Sequence, residues 1–375
     1  MNILVVGNGF DIAHGLPTKY GDFLAFLRHY NQFITNDNAV EQDEVDFEEL
    51  ILLKNEIPEL FDEINELISD NRWYHHFVSL YESRINEGRD GWIDFEKEIS
   101  NIIQTLDKVR LRIHQQFEQG SVTTCLNDFQ IEQLKVIIWG NVHLDYTQEE
   151  FDLDFINSLK SQLLTDLNRL TRCLEIYLAY CIHITQCHTL PLIEKLDIQY
   201  VLNFNYTDTY KLLYDRDSTS ITYHYIHGFA KKESNIETCN MILGIDEYLE
   251  NPLKNTDNEF AEFKKFFQRI YKGTGNIYTE WLHRHQQLTD RYQDNVGAPN
   301  MNVYIFGHSL DKTDGDVLRK LILCENTTTT IFYHSRDAFA KQLVNLIAVI
   351  GEDELIKRTD KSSQSIFFEP IENVT

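Results

Sequence analysis

The stretch "ILVVGNGFD", residues 3–11, decides the fold. Its apolar run, residues 3–6, breaks into Gly7-Asn8-Gly9, and the residues after Asp11 are able to start a helix. This pattern is typical of a strand, a tight turn and a helix N-terminus that presents backbone N–H groups to a phosphate. The dinucleotide fingerprint G-x-G-x-x-G is incomplete, because Ile12 stands at its third glycine position. Two interpretations stay open: a nucleotide-binding loop and an ordinary first strand-to-helix turn.

The composition limits the partners that we expect. The 375 residues include 34 Lys and Arg against 59 Asp and Glu, a net charge of -25. Such an acidic surface repels nucleic-acid phosphates, so we expect no nucleic-acid partner. No run of 18 apolar residues occurs, so we expect no membrane span. The six cysteines have no paired spacing, which favours reduced thiols in a cytoplasmic protein.

The predicted strands are distributed unevenly. Between residue 6 and "QYVLNF" (199–204) the apolar residues recur at three- and four-residue intervals, which indicates helices. From there the chain reads "QYVLNFN", "ITYHYIHG", "NMILGI", "NVYIFGHS" and "TTIFYH", which are strand-like runs. Because one strand cannot form a sheet alone, the first must pair with the later ones. We therefore predict an α/β fold with a Rossmann-like parallel sheet flanked by helices and a large helical insertion after the first βα unit.

These runs also predict the domain boundaries. Residues 1–22 and 190–360 form a discontinuous Rossmann-like domain, and residues 23–189 form the inserted helical domain. A smaller helical insertion spans 250–298. The tail, residues 361–375, is either a final strand or a loosely held end. The large helical block is interpreted as a regulatory or oligomer-forming element.

Small and polar residues follow every predicted strand. In an open parallel sheet, ligands bind at the carboxyl ends of the strands, so these residues predict one shared pocket. They are Gly7, Asn8, Gly9 and Asp11; Asn203, Asn205, Tyr206, Thr207 and Asp208; His227 and Gly228; Gly244 and Asp246; and Gly307, His308, Ser309, Asp311 and Asp314.

Each of these residues also has an ordinary structural interpretation. Asn, Thr and Asp are common helix caps, which applies to Asp11 and to residues 203–208. His227 fits an edge histidine, and Ser309 lacks the second glycine of a hydrolase elbow. Cysteine and histidine alternate within residues 181–188, but no second ligand pair follows at zinc spacing, so no metal is predicted.

Several motifs, in order, carry a family resemblance. "LVVGNGFDIAHGLPTKYGDFL", "WIDFE", "VLNFNYTDTY", "IHG" and "IFGHSLDKTD" resemble the AbiH family of bacteriophage abortive-infection proteins. The resemblance implies a bacterial anti-phage role, in which an infected cell arrests or dies before phage are released. It also implies a phage-derived trigger.

AbiH proteins resemble, more distantly, sirtuin-like NAD-binding domains, which carry a glycine-rich first loop, a T-x-N-[IY]-D segment, an H-G pair and a late G-[TY]-S-L segment. The resemblance implies that Gly7 and Gly9 approach the pyrophosphate of NAD. Asn205 would hold the nicotinamide ribose or position a water, and His227 would act as base or orienter. Ser309 would contact the ribose or a phosphate.

The sequence departs from the sirtuin pattern at three positions. Asn203 and Phe204 replace T-x, and Thr207 replaces the aspartate. The zinc-binding cysteine module is absent, which disfavours deacetylation but not NAD hydrolysis. We predict catalytic roles for Asn205, His227 and Asp11. The predicted NAD contacts are Gly7, Asn8, Gly9, Phe10, Asn203, Tyr206, Thr207, Asp208, Gly228, Gly307, His308, Ser309 and Asp311.

Three functions remain open at this point. The leading hypothesis is an effector that binds NAD or a related nucleotide and hydrolyses the nicotinamide–ribose bond. The second is a nucleotide-binding sensor or scaffold without turnover. The third is a metal-dependent nuclease, for which the nearby carboxylates of Asp311, Asp314 and Asp316 would be the sign. In "WIDFE", Asp94 is interpreted as a helix cap and Glu96 as a candidate carboxylate near the pocket.

Overall fold

Six strands form one sheet in the computed structural model. The model describes residues 1–35, 48–89, 91–119, 134–135, 137, 153–184, 187–215, 220–250, 252–292 and 297–371. The strands are β1 (Asn2–Val6), β2 (Tyr200–Asn203), β3 (Thr222–Tyr225), β4 (Met301–Phe306), β5 (Thr327–Tyr333) and β6 (Ile366–Pro370). Their order is β3-β2-β1-β4-β5-β6, and every neighbouring pair is parallel. The predicted α/β, Rossmann-like parallel sheet is confirmed.

Fifteen α-helices are assigned in the described ranges. They are α1 (Asn8–Ala13), α2 (Tyr20–Thr35), α3 (Glu48–Glu56), α4 (Pro58–Ile68), α5 (Arg72–Asn86), α6 (Phe95–Gln119), α7 (Leu153–Ile176), α8 (Pro191–Glu194), α9 (Thr209–Tyr214), α10 (Leu253–Thr256), α11 (Lys265–Tyr271), α12 (Ile277–Thr289), α13 (Gly315–Ile322), α14 (Arg336–Ile350) and α15 (Glu352–Thr359). A π-helical turn, Tyr177–Cys181, follows α7.

The first strand lies at the centre of the sheet. Ile3 and Val5 belong to one buried apolar cluster with side chains of α12, α13, α14 and α15, and Leu4 and Val6 belong to a second with side chains of α1, α8 and α9. Burial on both faces explains why this strand reads as a continuous apolar run. The prediction that it pairs with strands far along the chain is confirmed, because β2 and β4 are its neighbours.

The register brings the loops after four strands to one edge. Val6 lies opposite Asn203 and Phe306, and Asn203 lies opposite Tyr225. The strand order reverses between β1 and β4, which is the switch point at which such sheets form a crevice. The loops after β1, β2, β3 and β4 therefore surround a single position.

One predicted strand is wrong. Residues 240–245, "NMILGI", form no strand, and only an isolated bridge joins Ile245 to Lys264. The Ile245 N–H donates to the Phe263 carbonyl oxygen at 2.8 Å, and the segment is buried. Its apolar run reflects this burial, so Gly244 and Asp246 do not end a strand of the sheet. The tail, which the sequence left open, supplies β6.

The chain separates into two compact units. The sheet unit comprises 1–18, 182–229 and 274–375, and the helical unit comprises 19–181 and 230–273. The prediction placed the boundaries at 22/23 and 189/190 and a second insertion at 250–298. In the structure the second segment of the helical unit ends before α12, whose Tyr278 and Trp281 pack in the core of the sheet unit.

The helical unit has its own core and a buried charged network. Trp73 donates a hydrogen bond from Nε1 to the Leu163 carbonyl oxygen at 2.9 Å. Arg172, which is almost fully buried, lies 2.9 Å from Glu63 and 2.8 Å from the buried Glu175. Ser234 completes this network at 3.0 Å from Arg172, so the second segment of the unit is tied to α7.

The described ranges contain neither a membrane-spanning helix nor a disulfide. Within the described ranges, no helix has the length and hydropathy required to cross a membrane. Five of the six cysteines lie in these ranges, and each is a free thiol.

Candidate functional site

The loops after β1 and β4 are joined through their glycines. The Gly9 N–H donates to the Gly307 carbonyl oxygen at 2.8 Å, and the Gly7 N–H donates to the Phe306 carbonyl oxygen at 3.1 Å. Gly307 has φ +68°, and a Cβ there would lie 2.0 Å from the Phe10 nitrogen. These glycines therefore allow the two loops to approach each other closely. The N–H groups of Gly7 and Gly9 already donate hydrogen bonds within the protein. The exposed polar side chains of the paired loops are Asn8 and Ser309.

Asp11 forms the buried acidic part of the site. Its Oδ2 accepts a hydrogen bond from the Thr207 hydroxyl at 2.6 Å, and the Thr209 hydroxyl donates in turn to Thr207 at 3.1 Å. Oδ1 is buried and has no hydrogen bond of good geometry within the described residues. Burial raises the Asp11 pKa to about 6, and the nearby Thr207, Thr209 and Asn205 side chains oppose this rise. Asp11 lies within α1 and does not cap it.

Two asparagines connect the loop after β2 to the first loop. Asn203 accepts a hydrogen bond from the Asn205 N–H at 2.7 Å and donates to the Thr207 carbonyl oxygen at 2.8 Å. Asn205 donates from Nδ2 to the Gly7 carbonyl oxygen at 3.0 Å. Neither side chain caps α9, whose N-cap position is held by Asp208 without a side-chain capping bond. Asn203 shapes its loop, and Asn205 holds two loops together.

Two histidines share one carboxylate on the other side of the site. His227 Nε2 lies 3.3 Å from Asp314 Oδ1, and His308 Nε2 lies 3.4 Å from Asp314 Oδ2. The Phe204 ring meets both imidazoles edge-on, with centroid distances of 5.5 Å to His227 and 4.5 Å to His308. Both imidazoles are buried. A carboxylate that lies between two imidazoles fixes the orientation of both rings.

The structure thus places Asn205, His227 and His308 in the loops after β2, β3 and β4, and Asp11 in the first turn of α1, all at the carboxyl edge of the sheet. Thr209 and Asp314 also contact these residues; Asp314 was expected at the pocket but was given no catalytic or NAD-binding role, and Thr209 was not predicted. The sequence placed Asp314 at the pocket because it lies in the segment after the strand β4. For Thr209 no signal was recognised.

Other predicted contacts have structural roles. The Phe10 ring is fully buried and packs edge-on against Phe306, with centroids 5.5 Å apart, so it belongs to the core. Asp311 accepts a hydrogen bond from the Thr313 N–H at 3.0 Å and caps a short 3₁₀ turn. Gly228 has φ +73° in the turn after β3. The residues at the remaining predicted positions, Tyr206 and Asp208, lie in the loop between β2 and α9.

The "WIDFE" motif lies in the helical unit. Asp94 accepts a hydrogen bond from the Lys97 N–H at 3.0 Å, so its predicted capping role is confirmed. Glu96 lies 2.8 Å from the buried Lys265 ammonium of the same unit. A cleft of about 710 Å³ is also found in this unit; its lining includes Arg110, Lys160 and Phe267. The chemistry-bearing side chains described above belong to the sheet unit instead.

No metal centre is found among the residues that the structure describes, because no group of three or more His, Cys, Asp or Glu side chains there has the geometry to hold an ion. Residues 185 and 186, inside the alternating Cys/His segment, lie outside those ranges.

Comparison with known proteins identifies the family. No curated protein and no solved structure matches the chain. A family model described as "Bacteriophage abortive infection AbiH" matches residues 3–333, which include β1 to β5 and every residue of the candidate site. The chain therefore belongs to the AbiH family of bacteriophage abortive-infection proteins.

Proposed function

We propose that this abortive-infection protein binds NAD, or a related nucleotide, at the carboxyl edge of its sheet and hydrolyses the nicotinamide–ribose bond. The observation that carries the proposal is that Asn205, His227 and Asp11 follow the neighbouring strands β2, β3 and β1 at the carboxyl edge of the sheet, where Asn205 and Thr207 contact Gly7 and Asp11. Each of the three is buried, and none is used as a helix cap.

The reaction suits the groups present. Cleavage breaks the bond between ribose C1′ and the nicotinamide nitrogen, water adds to C1′, and the water proton leaves to a base. The products are nicotinamide, ADP-ribose and a proton. The transition state carries positive charge on the ribose, so an anionic or amide oxygen nearby and a positioned water favour it.

Each side chain has a role in this proposal. The Asn205 amide oxygen accepts no hydrogen bond from the described residues, so it is suited to a water or a ribose hydroxyl. His227 accepts the proton, because a neutral imidazole is a common general base. Asp11, with its buried Oδ1, supplies negative charge when it is ionised.

The contacts that we propose for the pyrophosphate of NAD differ from those of a glycine-rich loop that donates its backbone N–H groups to phosphate. Gly7 and Gly9 lie so close to the loop after β4 that a Cβ would not fit at either position, and their N–H groups donate to carbonyl oxygens of Phe306 and Gly307. We therefore assign the pyrophosphate to the exposed Asn8 and Ser309 side chains on the two joined loops. Asn8 keeps its amide nitrogen for this purpose, because its Oδ1 accepts from the Thr18 hydroxyl at 2.7 Å.

Two of the three carboxylates of the nuclease alternative make different contacts. Asp311 caps a turn and Asp314 lies between two imidazoles, so the two do not form a metal-binding pair. The contacts of these two carboxylates do not support the nuclease alternative.

The test is nicotinamide release, followed by chromatography after the purified protein is incubated with NAD. The variants are Asn205→Ala and His227→Ala, and the matched control is His283→Ala, an exposed histidine of α12. A parallel series contains phage lysate to supply the trigger. We expect release that both site variants lose and the control keeps. Protection of the wild type by NAD against heating, without release in either series, would instead identify a non-hydrolysing nucleotide sensor.

A further inference from the structure

The Asp314 carboxylate faces two histidines and does not cap its own helix. It occupies the N-cap position of α13, yet its carboxylate makes no capping hydrogen bond. Aspartate at this position normally accepts a hydrogen bond from the first turn of the helix. Here the carboxylate points instead toward two imidazole nitrogens, at 3.3 Å and 3.4 Å. The side chain is about 13% exposed, so water screens it little.

His308 is fixed in one tautomer by its own loop. Its Nδ1 accepts a hydrogen bond from the Leu310 N–H at 2.9 Å. A neutral imidazole that accepts at Nδ1 carries its proton at Nε2, and this nitrogen is the one that faces Asp314. His308 is therefore a donor to Asp314 in its neutral form.

The loop that holds His308 is under backbone strain. Leu310 adopts φ +59°, a left-handed conformation that costs a non-glycine residue free energy. Its side chain is fully buried in the core of the sheet unit, and Gln342 donates to the His308 carbonyl oxygen at 3.2 Å. Core packing therefore enforces the conformation that presents the Leu310 N–H to His308.

The same carboxylate selects the tautomer of His227. An ionised Asp314 offers only acceptors, so it favours a proton on the His227 Nε2 that faces it. In the neutral ring Nδ1 then carries the lone pair. We propose that Asp314 is a positioning residue that orients His227 as the base of NAD hydrolysis, and that His308 holds Asp314 in place. The catalytic consequence of this inference rests on the proposed function. Its geometry does not.

The experiment combines a magnetic-resonance measurement with kinetics. Protein labelled with ¹⁵N-histidine is compared with Asp314→Asn, and the His227 signals are assigned by their loss in His227→Gln. The control is Asp337→Asn, an exposed aspartate in the first turn of α14. We expect wild-type and control His227 to carry the proton on Nε2, and Asp314→Asn to move it toward Nδ1.

The kinetic arm uses nicotinamide release. Loss of an orienting carboxylate lowers kcat by about 10²- to 10⁴-fold, whereas KM stays within about twofold because Asp314 does not touch substrate. A wild-type His227 protonated on Nδ1, or a tautomer that Asp314→Asn leaves unchanged, would overturn the inference. The tautomer measurement needs no turnover, so it separates failure of this inference from failure of the NAD proposal. The wild-type spectrum decides the matter even where the variant does not fold.

Discussion

Asp11 is a buried carboxyl whose folded pKa is about 6 against an ordinary value of 3.8. Between these two values the folded protein binds more protons than the unfolded chain, so stability falls as the pH rises through this range. Above pH 6 the ionised carboxylate costs about 3 kcal/mol, at about 1.4 kcal/mol per pKa unit.

We predict that Asp11→Asn is more stable than the wild type at pH 8 by about 1–3 kcal/mol and nearly equal to it at about pH 3.5, below the unfolded pKa. The asparagine oxygen still accepts from Thr207, while the buried charge is gone. Urea unfolding at both pH values measures the difference, with the exposed Asp337→Asn as control. Nicotinamide release should fall in the same variant. A stability difference that does not change with pH would show that Asp11 does not titrate in this range.

His76, on α5, titrates in the opposite sense. Its side chain is buried, neither ring nitrogen has a hydrogen-bond partner within the described residues, and burial lowers its pKa from 6.5 to about 4. The unfolded chain therefore binds more protons between pH 4 and pH 6.5. Its contribution to stability is complete above pH 6.5 and is lost as the pH falls toward 4.

We predict that lowering the pH from 7.5 to 5 costs the wild type about 2 kcal/mol through His76 alone. The variant His76→Phe should lose that part of the pH dependence, because phenylalanine has no proton to gain beside Trp73 and Phe77. The exposed neighbour His75→Phe is the control and should behave as the wild type. Urea unfolding followed by circular dichroism provides the values. Equal pH dependence in both variants would contradict the assignment.

At the scale of elements, the two glycine loops form one structure. The loop after β1 and the loop after β4 are in backbone contact, and Gly307 combines a positive φ with a neighbour 2.0 Å from any added Cβ. Neither loop is able to move away without breaking the bond from the Gly9 N–H to the Gly307 carbonyl oxygen. The positions of Asn8 and Ser309 therefore depend on each other.

We predict that Gly307→Ala lowers the free energy of unfolding by about 3 kcal/mol or more, from backbone strain and overlap with the Phe10 nitrogen. The control is Gly351→Ala, since Gly351 has φ +90° but nothing within 4 Å of the added Cβ. It should cost only about 1–2 kcal/mol. Similar losses in the two variants would show that the loop contact adds nothing beyond the φ angle.

The secondary-structure elements also show how much of the fold the sequence predicts. The continuous apolar runs of β1 and β4 predicted buried parallel strands, because both faces of such strands meet helices. The run at 240–245 has the same composition and burial but belongs to the helical unit, and composition alone does not identify a strand's partner. The role of Asp314 was missed for a related reason: a carboxylate that serves two histidines is recognised only when the loops are in place.

At the scale of the whole molecule, the net charge of -25 is the dominant property. Like charges repel more strongly in the compact state than in the extended chain, so the charge lowers folding stability. At 0.5 M salt the screening length falls to a few ångström, which removes most of the interaction between exposed charges.

We predict that raising NaCl from 0.02 M to 0.5 M increases the free energy of unfolding by about 1 kcal/mol or more. KCl should give the same increase, because screening depends on ionic strength and not on the identity of the ion. Urea unfolding at a fixed pH of 7.5 is the measurement. Stability that stays constant or falls with salt would show that favourable exposed ion pairs, such as the one between Lys357 and Glu354, outweigh the repulsion.

The central place of β1 has a consequence for the synthesis of the protein. This strand is translated before its two neighbours in the sheet, which begin at Tyr200 and Met301. At about 5–20 residues per second, about 15–60 seconds pass before the second of them is made. Until then Asp11 and Gly7 have emerged while Asp314 has not yet been translated. A nascent or truncated chain that ends before Asp314 therefore lacks the carboxylate that His227 and His308 share.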